Sequence, residues 1–303
     1  MDKKSSFTLT SALSGVISSQ NPTYPFTAKE LKNAKKTYTP EEISALTRMG
    51  WLDGDFEKFF VLSQFLSENG VFDSAPDEFI TEVFKNARKF STVDFNGDGY
   101  IKNVRVEDTE IGKFHLTTAS YEGGELFLYD APDFSADIIV PKLGFFTGKV
   151  TFPTLYEGDM PWMSVCPSEI NSMRSQTDAA FGRVLVLGCG LGYYQFCVSA
   201  KDSVESVTIV EISDTIADIF ESKLLPYFPN RDKIRVIRAD AIEFMKEISD
   251  GDYDFVFADI WEGIVDGAPL YEKIKSFEGS LPNTVFTYWI EDQIRFYLEE
   301  KSI

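Results

Sequence analysis

Histidine occurs once in this chain of 303 residues, as His115. That excludes a multi-histidine metal site and leaves any histidine relay hanging on one residue in a strand-like run. Cysteine is scarce too, with only Cys166, Cys189 and Cys197. Three thiols make no disulfide framework and point to a reducing compartment, and none stands at zinc-ligand spacing. Basic residues are outnumbered, 29 Lys and Arg against 48 Asp and Glu, for a formal net charge of −19. Nucleic acid is therefore not expected as a partner, because phosphate binding needs a basic face. A small neutral or cationic substrate fits such a surface, and so does simple solubility. The most apolar stretch, Val184–Ala200, is broken by glycines and falls short of the ~20 residues of a membrane span. Residues 1–20 lack the apolar core of a signal peptide, so a cytoplasmic protein without a membrane segment is expected.

Aromatic residues are plentiful, 15% of the chain with 27 Phe, which supports a substantial core. Residues 1–38 carry six Lys against two acids and include Asn21-Pro22 and Tyr24-Pro25. This composition reads as a flexible or loosely docked arm. Thr39-Pro40-Glu41-Glu42 combines a capping box with proline at the first helical position. Helices are expected from there, over 56–68 and again from Ser74-Ala75-Pro76-Asp77. Between Tyr100 and Phe152 short β-rich runs alternate with turns: Tyr100–Val106, Lys113–Thr118, Leu126–Tyr129, Ile138–Val140 and Lys149–Phe152. An antiparallel meander or small barrel is expected there. Asp94–Gly99 matches the opening of a calcium loop. However, Arg105 stands at its twelfth position, and a hairpin turn on Asn96-Gly97 and Asp98-Gly99 explains the same residues without metal. The domains expected are an arm over 1–38, a helical and β-rich domain over 39–155 and an α/β domain over 156–303.

The last of these is organised by Arg183–Gln195. Val184–Leu187 has the length and branching of a buried parallel strand. Gly188, Gly190 and Gly192 follow, then a helix from Tyr193 to Ala200. Glycine is needed where a Cβ would block a tight turn or the approach of a ligand to the backbone. The dinucleotide fingerprint would want a small residue at the position of Tyr193, which argues against NAD. A second strand, Val207–Val210, ends in Glu211, a carboxylate able to accept from a ribose diol. Strands three and four end at Asp240 and Asp259. All four strand ends lie on the edge where open α/β sheets bind ligands. A fifth strand, Thr284–Ile290, and one last helix leave no room for a sixth and seventh. The fold expected is a Rossmann-like doubly wound sheet in order 3-2-1-4-5, preceded by a helical and antiparallel β region. Its fifth strand would be an edge needing cover from the N-terminal domain or from a second copy in a homodimer.

On these residues the last ~140 positions, about one domain's worth, resemble the class I S-adenosylmethionine-dependent methyltransferases. The resemblance implies that Gly188, Cys189, Gly190 and Gly192 lie under the methionine part. Glu211 with Ile212 would hold the ribose, Asp240 with Ala241 would meet the adenine, and Asp259 would complete the cofactor site. For Cys189 a small apolar filler is the alternative reading. In that family the segment before strand one often closes over the methionine end, making Trp162 and Glu169 candidates; a domain-joining linker with a core Trp is the other reading. Spermidine synthases are similar in architecture and carry Asp-x-x-Asp after strand four, where this chain has Asp259 and Glu262. Their glycine loop holds an Asp where this chain has Leu191, and their Tyr and His-Glu signatures are absent. Methyl transfer needs alignment and exclusion of water, and a base only when the nucleophile arrives protonated. Asp259 and Glu262 are the best-placed carboxylates for that work. The function expected is methyl transfer from S-adenosylmethionine to a small-molecule or cationic N or O nucleophile. An aminopropyltransferase using the decarboxylated donor, or a non-catalytic protein retaining the pocket, are the alternatives.

Overall fold

A computed structural model describes residues 1–20 and 28–301. The Asn21-Pro22 and Tyr24-Pro25 turns lie outside the described residues. The chain forms two compact units, one of residues 1–96 and 120–151, the other of residues 97–119 and 152–303. The segment 97–119, expected in the N-terminal domain, thus belongs to the second unit.

The expected arm is instead two helices, Lys3–Gln20 and Ala28–Thr37. The first buries Leu13 and Ile17 in a core that includes Phe59, Leu62, Phe65, Phe79 and Phe84. Its buried hydroxyls serve one distant residue: Ile139 N–H donates to Ser6 Oγ at 3.0 Å, and Thr10 Oγ1 donates to Ile139 C=O at 2.7 Å. This is why Ile138–Val140 is not the expected strand. Its central donor and acceptor are satisfied by side chains, so no ladder is needed. The capping box at Thr39 and Glu42 forms as its residues dictate. Helix Asp77–Asn86, by contrast, starts behind Pro76 with no side-chain cap, because Ser74 ends a short preceding helix, Val71–Ser74.

Strands β1 (Arg88–Phe90), β4 (Phe127–Asp130) and β5 (Lys142–Phe146) form the first unit's sheet, ordered β1-β5-β4. A four-stranded sheet, β2 (Thr109–Ile111), β3 (Phe114–Tyr121), β6 (Val150–Glu157) and β7 (Met160–Ser164), belongs for most of its length to the second unit. Two expectations fail nearby. Tyr100–Val106 is not a strand but starts within helix Gly99–Asn103, and Asp94–Gly99 is not a hairpin turn but runs from a first short helix, Thr92–Gly97, into the second. Asp98 decides the matter. Its Oδ1 accepts from Tyr100 N–H and Ile101 N–H at 2.9 and 3.2 Å, an N-cap that starts a helix rather than closing a hairpin.

The second unit's larger sheet is parallel throughout: β8 (Gly182–Leu187), β9 (Val204–Glu211), β10 (Ile234–Arg238), β11 (Phe255–Ala258) and β12 (Val285–Tyr288), ordered β10-β9-β8-β11-β12. Central β8 is buried on both faces, Val184 and Val186 facing one core cluster and Leu185 and Leu187 another, as its continuous apolar run requires. Ahead of β8 the chain forms two short helices that meet at Met173, Pro167–Ser172 and Arg174–Ala179. The second piece reaches the sheet edge, where Gln176 Nε2 donates to Tyr288 C=O at 3.1 Å. No described helix is long and apolar enough to cross a membrane.

Candidate functional site

A cavity of about 630 Å³ opens over the carboxyl ends of β8, β9, β10 and β11 and is walled by β7. Its floor is the glycine turn. All three glycines adopt left-handed backbone, each for a different reason. A Cβ on Gly188 would stand 2.0 Å from the Asp259 carbonyl oxygen, and one on Gly192 would stand 2.5 Å from the Phe220 ring. At Gly190 the nearest atom would be Met163 Sδ, 4.0 Å away, so this glycine leaves open space above the backbone.

Glu211 ends β9 and ties the turn to it. Its Oε2 accepts from Cys189 N–H at 2.9 Å and its Oε1 from Ser213 N–H at 2.8 Å, which leaves a lone pair on each oxygen. Cys189 serves through its backbone. Burial, with Glu211's charge adding, pushes its thiol well up and so favours the neutral form. Ile212, beside Glu211, is 71% exposed and lines the cavity. Asp240 N-caps helix Ala241–Glu247 through Oδ1, accepting from Ile242 and Glu243 N–H at 2.8 and 3.0 Å. Ala241 is buried behind it.

Sequence reasoning missed the props under the turn. Gln195 Nε2 donates to Cys189 C=O at 2.9 Å and to Gly188 C=O at 3.3 Å. Tyr100, fully buried, donates to Leu191 C=O. Tyr193, the bulky residue after the turn, donates to Asp98 Oδ2 at 3.1 Å. Gln195 follows the motif directly and was open to inspection. Tyr100 and Asp98 lie more than ninety positions away and carried no signal.

On the β11 side, Asp259 and Glu262 both line the cavity, in different surroundings. Glu262 is exposed and accepts from Trp162 Nε1 at 3.1 Å, while its own N–H donates to Asp266 Oδ2 at 2.8 Å. Asp259 is instead coupled to Glu169. Burial, reinforced by the charge of Glu169, raises the Asp259 carboxyl to about 8, and burial raises Glu169 to about 7. Neither carboxyl is hydrogen-bonded to a described residue. Two buried donors of the lining, Tyr194 O–H and Trp261 Nε1–H, also lack a partner among the described residues. Six carboxyl residues line the cavity, and among the described residues that do so there is no Lys, Arg or His.

An S-adenosyl nucleoside fits these features. Gly190 leaves backbone room, Glu211 retains acceptor capacity for hydroxyls, and the orphan donors await acceptors. Residues 167–280, somewhat over a third of the chain, match the spermine/spermidine synthase domain. Putrescine N-methyltransferase 1 of Nicotiana tabacum is 30% identical over 94 residues, 30% of this chain and 25% of that protein. Spermidine synthase 2 of Arabidopsis thaliana is 32% identical over 97 residues, covering 30% and 27%. The matched stretch thus spans about a quarter of the length of these relatives. The solved spermidine synthase of Thermotoga maritima aligns with 46% of this chain and 53% of its own at 15% identity, with a TM-score of 0.32. The domain match and the curated relatives support the resemblance to the class I S-adenosylmethionine methyltransferase-like superfamily, with spermidine synthase similarity.

Proposed function

We propose that this protein transfers a methyl group from S-adenosylmethionine to an amine nitrogen of a small cationic molecule. One observation carries the reading: a single cavity joins the glycine turn, Glu211 and Asp240 to the Glu169–Asp259 carboxyls, with no basic residue in its described lining. A cation is the ligand that such a wall favours. The relatives named for methylating putrescine are consistent with an amine acceptor.

Glu211 would accept from the ribose hydroxyls and Asp240 from the adenine amino group, while Gly188–Gly192 would lie under the methionine part. Tyr194 O–H would donate to its carboxylate. When bound, S-adenosylmethionine supplies a methyl group on positively charged sulfur, which departs with the C–S electron pair. The remaining work falls to the chain. Glu169 and Asp259 attract the acceptor ammonium and hold it facing the glycine turn. An amine attacks only with its lone pair free, so one proton must leave the nitrogen. A carboxylate of the pair takes it, and the raised affinity of both groups for a proton suits them to that role near neutral pH. The apolar wall excludes water from the reacting atoms.

Aminopropyl transfer is the second reading. It is favoured by the Asp259-x-x-Glu262 spacing and by the acidic lining, which offers no cation to a methionine carboxylate. Leu191, in place of the aspartate of spermidine synthases, opposes it. Calorimetric titration of the protein with S-adenosylmethionine, S-adenosylhomocysteine and decarboxylated S-adenosylmethionine tests both readings. Binding of the carboxylated nucleosides, lost in Glu211→Ala, is expected. Preference for the decarboxylated form would promote aminopropyl transfer, and silence from all three would sink the assignment.

A further inference from the structure

The order β10-β9-β8-β11-β12 divides the cavity along β8. Glu211 and Asp240 stand over β9 and β10. Asp259, Trp261 and Glu262 follow β11, and Trp289 follows β12. The chain has four tryptophans, and three of them line this one cavity: Trp162, Trp261 and Trp289. Each is fixed from behind. Trp162 stacks on Phe114 at 5.1 Å between ring centroids and donates to Glu262. Trp289 donates to Ser172 Oγ at 2.9 Å, one helical turn beyond Glu169. Trp261 lies over Gly267, where a Cβ would come within 2.8 Å of the ring. Rings held in this way form a wall set in advance of binding.

We propose that the acceptor is a monoamine with a flat apolar body, an arylalkylamine, its ammonium at Glu169 and Asp259 and its body against the three tryptophans. The inference rests on the amine-transfer reading above and narrows it. A linear diamine needs anionic partners at both ends. Beyond the Glu169–Asp259 pair, the carboxyls on this side are Glu262 and Asp266, both exposed and each already holding an N–H donor. Exposed, screened carboxylates contribute little to a second ammonium. Indole faces, in contrast, gain from apolar area, from stacking and from the adjacent cation.

The test is calorimetric titration of the full chain, saturated with S-adenosylhomocysteine, with 2-phenylethylamine and with putrescine. Phenylethylamine is expected to bind at least about tenfold more tightly. Trp162→Ala and Trp289→Ala should each remove most of that preference, and Trp→Phe at either position should restore part of it. Melting curves and S-adenosylhomocysteine affinity serve as controls for folding. Putrescine binding as tightly as phenylethylamine, no amine binding to the nucleoside complex, or a preference untouched in folded Trp variants would each overturn the inference and leave the donor assignment standing. Failure of S-adenosylhomocysteine itself to bind would overturn the proposed function and the acceptor with it.

Discussion

Asp259 is an acid whose folded-state pKa, about 8, lies far above its ordinary value of 3.8. The sign of its effect follows from linkage. The folded protein holds this proton more tightly than the unfolded chain does, so the contribution to stability is full at low pH and is lost as pH rises from about 4 to about 8. Asp259→Asn should therefore raise the melting temperature at pH 9, by about 2–4 °C for each kcal/mol relieved, and leave it nearly unchanged at pH 4. Thermal melts at the two pH values check this. The same pair should make amine binding pH-dependent: affinity rises between about pH 6 and pH 8 as Glu169 and Asp259 ionise, and titrations across that range measure it. The carboxylates at the strand ends could be named from the sequence because they follow apolar runs directly. That Asp259 is coupled to Glu169 rather than Glu262 could not, since three residues of sequence spacing say nothing about a side chain arriving from another helix.

The glycine turn is an element whose shape is imposed from several sides at once. Gly192→Ala would press a Cβ into the Phe220 ring at a left-handed backbone position, and a loss of at least about 2 kcal/mol in urea unfolding is expected. Tyr100→Phe leaves the packing intact but strips Leu191 C=O of its donor. About 1–2 kcal/mol of stability should go, together with a several-fold loss of nucleoside affinity. The strand, turn and helix were evident from Arg183–Gln195 because apolar run, glycines and helix stand in order along the chain. Their supports were not, because Asp98 reads as part of an Asn-Gly and Asp-Gly hairpin until its carboxylate is seen capping a helix. Neither reading of Met160–Ser164, a closing segment or a domain-joining linker, includes a strand, yet it pairs with β6, Thr154 opposite Ser164. A proline in so short a run masks a strand at the end of a sheet.

For the molecule as a whole the governing number is its charge. At −19, mutual repulsion opposes the compact state, so raising sodium chloride from about 0.02 to 0.3 M should raise the melting temperature by a few degrees through screening. A flat or falling response would mean that local ion pairs outweigh the net field. The parallel sheet was readable at this scale, since buried strands alternate with helices through the last third of the chain. The N-terminal unit was not. Its first helix looks like a polar arm because the serine and threonine that bury against Ile139 are indistinguishable in sequence from solvated ones. Those two hydroxyls also set a timetable for biosynthesis. Ser6 and Thr10 leave the ribosome 133 and 129 residues ahead of the residue they bind, a delay on the order of ten seconds at typical rates of chain elongation. Until then the nascent helix can settle Leu13 and Ile17 only against earlier-made residues such as Phe59 and Phe84, with two hydroxyls still left to water.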